Sequence, residues 1–381
     1  MEKNMTRRER LMATLRGDRV DRPAVSFYEI NGLDEKPADD DPFNIYSHPS
    51  WWPLISLARE KTDRIVTRGV AYKSVTPDPV DELSSTESVV RDGSLFTTRR
   101  VRAGGRTLTA RTRRDPDVNT VWTVEHLLKD VDDLRAFLHI PLPAPKGDVD
   151  IRPILEAESM LGDTGIVMID TPDPLCLAAS LFDMAEYTIT AMTEQALFHE
   201  LLERFAATLQ PKTKAVAEAL PWRLWRIYGP EYASPPYLPP ALFREYVCRY
   251  VTPMIEAIHA DGGYARIHCH GNLKAILDDI AAMGADGLDP IEPPPQGDVE
   301  LGYVREHYGK EMVLFGNLEA SDIENMPTEQ FERKVKRALA EGSSGDGRGF
   351  VLMPSACPYG RKLSSLALTN YETIIKIVEG Q

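Results

Sequence analysis

The sequence predicts an α/β protein: one (β/α)8 or TIM barrel over residues 1–381, with β-hairpins inserted in its N-terminal third at about residues 72–125. Three observations predict it. In the second half, short apolar runs alternate with helical stretches, which implies a parallel sheet with right-handed crossovers. The length of 381 residues accommodates about eight such units, whose usual span is about 250 residues, plus insertions. No Gly-x-Gly-x-x-Gly turn follows the first apolar run, which weakens the doubly wound open sheet as a competitor.

The elements follow in order. Thr6-Arg7-Arg8-Glu9 has the form of a capping box, and Gly17 stands where that helix would end. Leu11, Met12 and Leu15 give the helix an apolar side. Arg22-Pro23 leads into a strand at 24–28. The acidic, Pro-bearing stretch 34–42 is a loop. Val/Thr/Arg-rich runs at 95–101 and 107–112 read as the inserted hairpins. Residues 141–146 form a Pro-rich connector. Strands are then expected at 166–169, 224–228, 265–268, 287–289, 313–315 and 350–353. Helices are expected from the first of these strands through 209, then at 240–260, 273–283, 299–308 and 328–340. The charged stretch 329–337 reads as a solvated helix face. Trp51, Trp52, Trp222 and Trp225 read as core or rim aromatics.

Bulk composition narrows the function classes. The formal charge of −14 repels nucleic acid and anionic lipid, so neither is an expected partner. No apolar run approaches the roughly 20 residues needed to cross a bilayer, and no apolar stretch follows the polar, basic start, so no signal peptide is expected. Four cysteines are too few for a disulfide framework, which points to a reducing cytoplasm.

In such a barrel, chemistry sits at the C-terminal ends of the strands. Those positions are rich in ligand-type residues: Tyr228-Gly229-Pro230-Glu231, His268-Cys269-His270-Gly271-Asn272, Asp289-Pro290-Ile291-Glu292, Gly316-Asn317-Leu318-Glu319 and Pro354-Ser355-Ala356-Cys357. His268 and His270 are two apart, so they face one way and Cys269 the other. Two imidazoles, the Cys357 thiolate and the Glu292 carboxylate make a set suited to zinc rather than to magnesium or calcium, which want oxygen. Each piece also has a structural reading. The histidines could be hydrogen-bonded pocket residues, Cys357 a small buried hydrophobe, Glu231 and Glu292 helix caps or arginine partners, and Asp289 a turn residue. Tyr28, Glu29, Asn31 and Asn317 fall at strand ends, where they line a substrate pocket or cap loops.

Met5-Thr6-Arg7-Arg8-Glu9-Arg10, Leu15-Arg16-Gly17 and Asp21-Arg22-Pro23 resemble the start of uroporphyrinogen decarboxylase superfamily proteins. Ile267-His268-Cys269-His270-Gly271-Asn272 and Leu314-Phe315-Gly316-Asn317-Leu318-Glu319 resemble later segments of the same superfamily. The resemblance implies the barrel independently of the strand count. The decarboxylases carry an Arg-Gln-Ala-Gly-Arg segment after the first strand; here that place reads Phe27-Tyr28-Glu29-Ile30-Asn31-Gly32, without arginine. Their aspartate in a Ser-Asp-Ile context is not evident at 63–70 either. The zinc methyltransferase branch carries His-x-Cys-Gly-Asn in mid-chain and a late Cys. His268, Gly271, Asn272 and Cys357 match that pattern, Glu292 falls where related methionine synthases place a carboxylate ligand, and His270 stands where the branch has Cys. Cys269 could serve instead only if the strand end were bent.

The resemblance therefore implies a zinc-dependent methyltransferase working with cobalamin, carried on a separate corrinoid protein because no cobalamin motif is present. A ligand set of His268, His270, Glu292 and Cys357 would leave zinc formally neutral and a stronger Lewis acid, suited to an O-methylated small molecule. Glu231, Tyr228 or Tyr359 would position the leaving oxygen or supply its proton. A homodimer is compatible with the resemblance. Two other classes stay open: a metal-free decarboxylase or lyase, which needs a basic pocket, and a non-catalytic corrinoid- or ligand-binding scaffold.

Overall fold

The computed structural model describes residues 4–73, 78–143 and 148–380. Residues 74–77 of the expected hairpin region and 144–146 of the expected connector lie outside them. The strands are β1 (Ala24–Val25), β2 (Arg64–Arg68), β3 (Ala71–Tyr72), β4 (Ser84–Arg91), β5 (Ser94–Ala103), β6 (Arg106–Arg114), β7 (Val121–Glu125), β8 (Val149–Asp150), β9 (Gly165–Pro172), β10 (Leu224–Tyr228), β11 (Tyr264–Cys269), β12 (Gly287–Pro290), β13 (Val313–Leu318) and β14 (Phe350–Pro354). Eight of them form one parallel sheet in the order β1-β14-β13-β12-β11-β10-β9-β2. Between its two ends, Asp63 N donates to Val25 O, and Val25 N donates to the Asp63 carboxylate. This is the (β/α)8 barrel, nearly closed. β4–β7 form a separate antiparallel sheet of consecutive hairpins. They begin at Ser84 rather than near 72, because Asp78 caps a short helix at Pro79–Glu82 instead. The first strand is also shorter than 24–28, with Ser26 making the last ladder bond before the chain turns into the pocket.

Inward-facing positions alternate along each strand and differ between the two ends of the barrel. At the N-terminal end they are apolar: Ile65, Ile166, Leu224, Val313 and Val351 form one buried cluster. The first helix, Arg7–Arg16, closes that end with Leu11 and Leu15. Toward the C-terminal end the inward positions become Asp170, Arg226, Arg266, His268 and Asp289, all buried or nearly so. The outer faces pack against the surrounding helices in a second, larger core that includes Trp51 and Trp225, whereas Trp52 and Trp222 are exposed.

The N-terminal motif has a structural role. Thr6 and Glu9 form the reciprocal capping box, and Gly17 ends the helix in the left-handed conformation. Arg10 and Arg22 both pair with the fully buried Asp63 at the foot of β2, and Arg10 also holds Asp21. Thr6→Ala is expected to cost about 1 kcal/mol, seen as a lower urea midpoint with unchanged slope.

Candidate active site

The site is built where the charged inward positions reach the barrel mouth. Register sets its pairs: Asp170 lies opposite Arg226, and His268 opposite Asp289. Asp170 takes Arg226 in a bidentate ion pair at 2.7 and 3.0 Å. The Arg226 guanidinium lies between the rings of Tyr28 and Tyr228, 5.5 and 5.6 Å from their centroids, and donates to the Tyr28 hydroxyl. Asp289 is fully buried and accepts from both forks of Arg266, which also stacks on Phe315. The same carboxylate holds His268 Nδ1 at 2.7 Å. Burial alone would raise Asp289, but Arg266 and His268 keep it ionised, far below the usual carboxylate range.

His270 lies just beyond β11, its ring 4.6 Å from that of His268 and nearly perpendicular to it. Its Nδ1 meets Glu292 Oε1 at 2.8 Å, while Glu292 Oε2 accepts the Gly271 amide at 2.9 Å. Burial opposes a charged imidazole, but the Glu292 bond outweighs it, so the His270 pKa is raised and that of Glu292 lowered. Ile291, next to Glu292, has a φ of 58°, a strained conformation for a β-branched residue and one that concentrates at functional sites. Thus each histidine has its Nδ1 held by its own carboxylate. Among the described residues, neither Nε2 makes a hydrogen bond.

The remaining expected site residues are placed as follows. The Tyr28 ring stacks on His268 with centroids 5.9 Å apart. Glu29, also strained at a φ of 58°, reaches Cys357 Sγ at 3.6 Å with one oxygen and Arg226 at 3.7 Å with the other. Burial, reinforced by Glu29, pushes the Cys357 thiol up to about 12. Tyr228 flanks Arg226, and burial pushes its phenol up to about 12. Glu231 accepts the Gly229 amide and adds to the negative potential at His270. Asn31 is buried and turned into its own loop, where it bonds Asp34 and the amides of Leu33 and Asp34. Tyr359 is exposed on a surface segment whose carbonyl accepts from Asn119. Asn317 lines a side pocket with Glu319. Tyr28, Glu29, Arg226, Arg266, Met168 and Met353 line a narrow recess at the mouth.

Three residues at the centre of this network, Asp170, Arg226 and Arg266, and the orienting role of Asp289 were not singled out from sequence. A signal existed. A lone charge inside an otherwise apolar strand, as in Leu224-Trp225-Arg226-Ile227-Tyr228, has to be paired inside the fold.

A zinc ion can be tested against these donors. A metal-binding histidine ordinarily gives its other ring nitrogen to a carboxylate, which is the arrangement of both His268 with Asp289 and His270 with Glu292. In that arrangement Glu292 orients His270 instead of being a donor itself. Among the described residues, no three His, Cys, Asp or Glu side chains are already gathered around one point, so the histidine pair is the preformed part of the site.

The architecture and site are thus those of a (β/α)8-barrel protein with a pair of carboxylate-held histidines at its mouth. The sequence profile of uroporphyrinogen decarboxylase (URO-D) matches residues 163–359, over half of the chain, and the chain belongs to this family. Among solved structures, a methyltransferase from Methanosarcina mazei is similar at 18% identity and a TM-score of 0.63, over 99% of each chain; at that identity the likeness shows the fold. A D-psicose 3-epimerase from Clostridium cellulolyticum H10 is more distant, at 11% identity and a TM-score of 0.36, over 60% of this chain and 82% of that one. No curated protein matches the chain. No helix among the described residues is long and apolar enough to cross a membrane.

Proposed function

We propose that this protein is a zinc-dependent methyltransferase that moves a methyl group between a small O-methylated compound and a corrinoid protein. The observation that carries the reading is the pair of histidines, each held at Nδ1 by its own carboxylate and each, among the described residues, with Nε2 free of a hydrogen bond. The methyltransferase fold likeness over the full chain supports it.

His268 and His270 would hold the metal, with Cys357 the thiol donor that the family pattern implies. Zinc, when bound, supplies a Lewis acid that lowers the basicity of an ether oxygen. The protein's residues do the rest. Asp289 and Glu292 fix the ring orientations and keep the Nδ1 protons on the carboxylate side. Tyr28, Met168 and Met353 would give a small methoxylated substrate apolar contact at the mouth. Loss of the methyl group leaves an oxygen anion that needs a proton. Tyr228, at the strand end beside Arg226, would supply it.

Arg226 and Arg266 bear on the metal-free lyase reading. That chemistry needs cations free to grip substrate carboxylates, but both guanidiniums are already neutralised by Asp170 and Asp289. Elemental mass spectrometry on protein purified without chelators tests the proposal. About one zinc per chain is expected, lost in a His268→Ala/Cys357→Ala variant, together with methyl transfer to cob(I)alamin from a methoxylated donor. Absence of stoichiometric metal after zinc is supplied would sink it.

A further inference from the structure

The two faces of the β4–β7 sheet differ in charge. Side chains alternate along each strand, and the ladder register sorts them. One face carries Val101 and Leu108, buried in the outer core with Leu134 and Phe137. Its arginines are neutralised by the body of the protein: Arg99 by Asp81, Arg106 by Asp133 and Arg114 by Asp41. The opposite face sets Val89, Phe96, Arg113 and Trp122 in one row across the four strands. Val89 and Trp122 are exposed, Trp122 by 47%. Arg91, Arg102 and Arg111 share that face and are exposed too. Among the described residues, none of these three guanidiniums makes an ion pair or hydrogen bond. Eight arginines stand against five carboxylates between Ser84 and Glu125, in a chain of net charge −14, so the rest of the chain is more acidic than the whole. Bonds from Asn119 N to Tyr359 O and from Arg361 N to Asp117 O fix the sheet to the barrel.

The complement of this face lies next to it. Three residues past β7, the Leu128 amide donates to the Leu181 carbonyl, which brings the sheet to the segment that opens the helix at Met184–Thr193. Residues 181–200 contain Asp183, Glu186, Glu194 and Glu200 and no lysine or arginine. Among the described residues, none of the four carboxylates makes an ion pair. Met184, Ile189 and Met192 are exposed on this helix, Ile189 by 54%. Their spacing places them along one stripe of its surface. Exposed apolar residues gathered beside uncompensated charge mark a contact surface.

A second copy of this chain accounts for both patches. Across a two-fold axis, each patch of one protomer meets the other patch of its partner, and the contact occurs twice. The basic sheet face of each protomer then covers the acidic helix of the other. An unrelated acidic protein would engage the arginines and leave the methionine-bearing helix uncovered. Nucleic acid on the sheet would meet repulsion from the adjacent carboxylates.

We propose that this protein forms a two-fold homodimer through these surfaces, with the Trp122 row of each protomer packed on the Met184–Met192 stripe of its partner and the unpaired arginines set against the helix carboxylates. The interface does not involve the histidine pair and does not rest on the methyl-transfer reading.

Sedimentation velocity on the full-length protein tests it. A dimer is expected at about 50 µM protein, with a dissociation constant about tenfold or more higher at about 500 mM salt than at about 50 mM. Arg102→Glu/Arg111→Glu reverses the sheet patch, and Glu186→Lys/Glu194→Lys reverses the helix patch. Each variant alone should be monomeric, because its sheet and helix then carry like charge. An equimolar mixture of the two should recover the dimer, since both contacts again join opposite charges. Misfolding of a variant cannot produce that recovery. Three results would overturn the proposal: a monomer at about 50 µM and low salt, a dimer indifferent to both variants, or a mixture that stays monomeric. The first would leave the sheet face to an unrelated acidic partner.

Discussion

Asp289→Ala is expected to destabilise the protein by about 3–5 kcal/mol, read as a lowered urea midpoint at unchanged slope. The side chain is fully buried and compensates two groups, Arg266 and His268. Removing it leaves the Arg266 guanidinium, only 1% exposed, as a buried charge whose remaining polar contacts are weak ones to the sulfurs of Met168 and Met353. The sign of the pH dependence follows from the depressed Asp289 pKa. The unfolded chain binds the proton first, so this contribution is complete above the ordinary aspartate range, near pH 4, and falls as the pH drops below it. In the variant that part of the acid sensitivity should vanish. A loss under about 1 kcal/mol would show that Arg266 finds another partner or reaches water.

His268→Ala/His270→Ala should leave the fold intact and reduce methyl transfer by about a thousandfold or more. His270 is half-buried at the mouth, and without either ring Asp289 keeps its bidentate Arg266 partner, so no buried charge is stranded. The proposed Lewis acid lowers the barrier by several kcal/mol, and about 4 kcal/mol corresponds to a thousandfold in rate. Initial rates of transfer to cob(I)alamin, alongside the urea midpoint, separate the two effects. Activity within tenfold of the parent would remove the histidine pair from the mechanism, whatever the metal content.

The alternation of apolar strands and helices from 165 onward was legible because each element carries its own periodicity. β10 begins and ends at the residues expected from its pattern, and Thr6 and Gly17 cap the first helix as their residue types require. His268 and His270 were legible for the same local reason: two-residue spacing at a strand end places both on one face, and their rings do lie 4.6 Å apart. The short first strand was less legible, because two ladder residues between β14 and the foot of β2 carry little pattern of their own.

Pairing across the barrel was a different matter. Asp289 reads locally as the first half of an Asp-Pro turn, and Arg226 as one charge in an apolar run. Only the register of β9 on β10 and of β11 on β12 puts Asp170 against Arg226 and Asp289 against His268. A parallel ladder joins residues far apart in sequence, and a slip of one residue would turn each side chain to the other face. The same holds for Glu319, whose unpaired oxygen is defined by what surrounds it and not by its neighbours in the chain. Local periodicity and capping, which depend on residues a few positions apart, determine the barrel and its histidine pair. Which carboxylate serves which cation, and which is left without one, depends on the packed strands, because burial and distance set the energy of a charge.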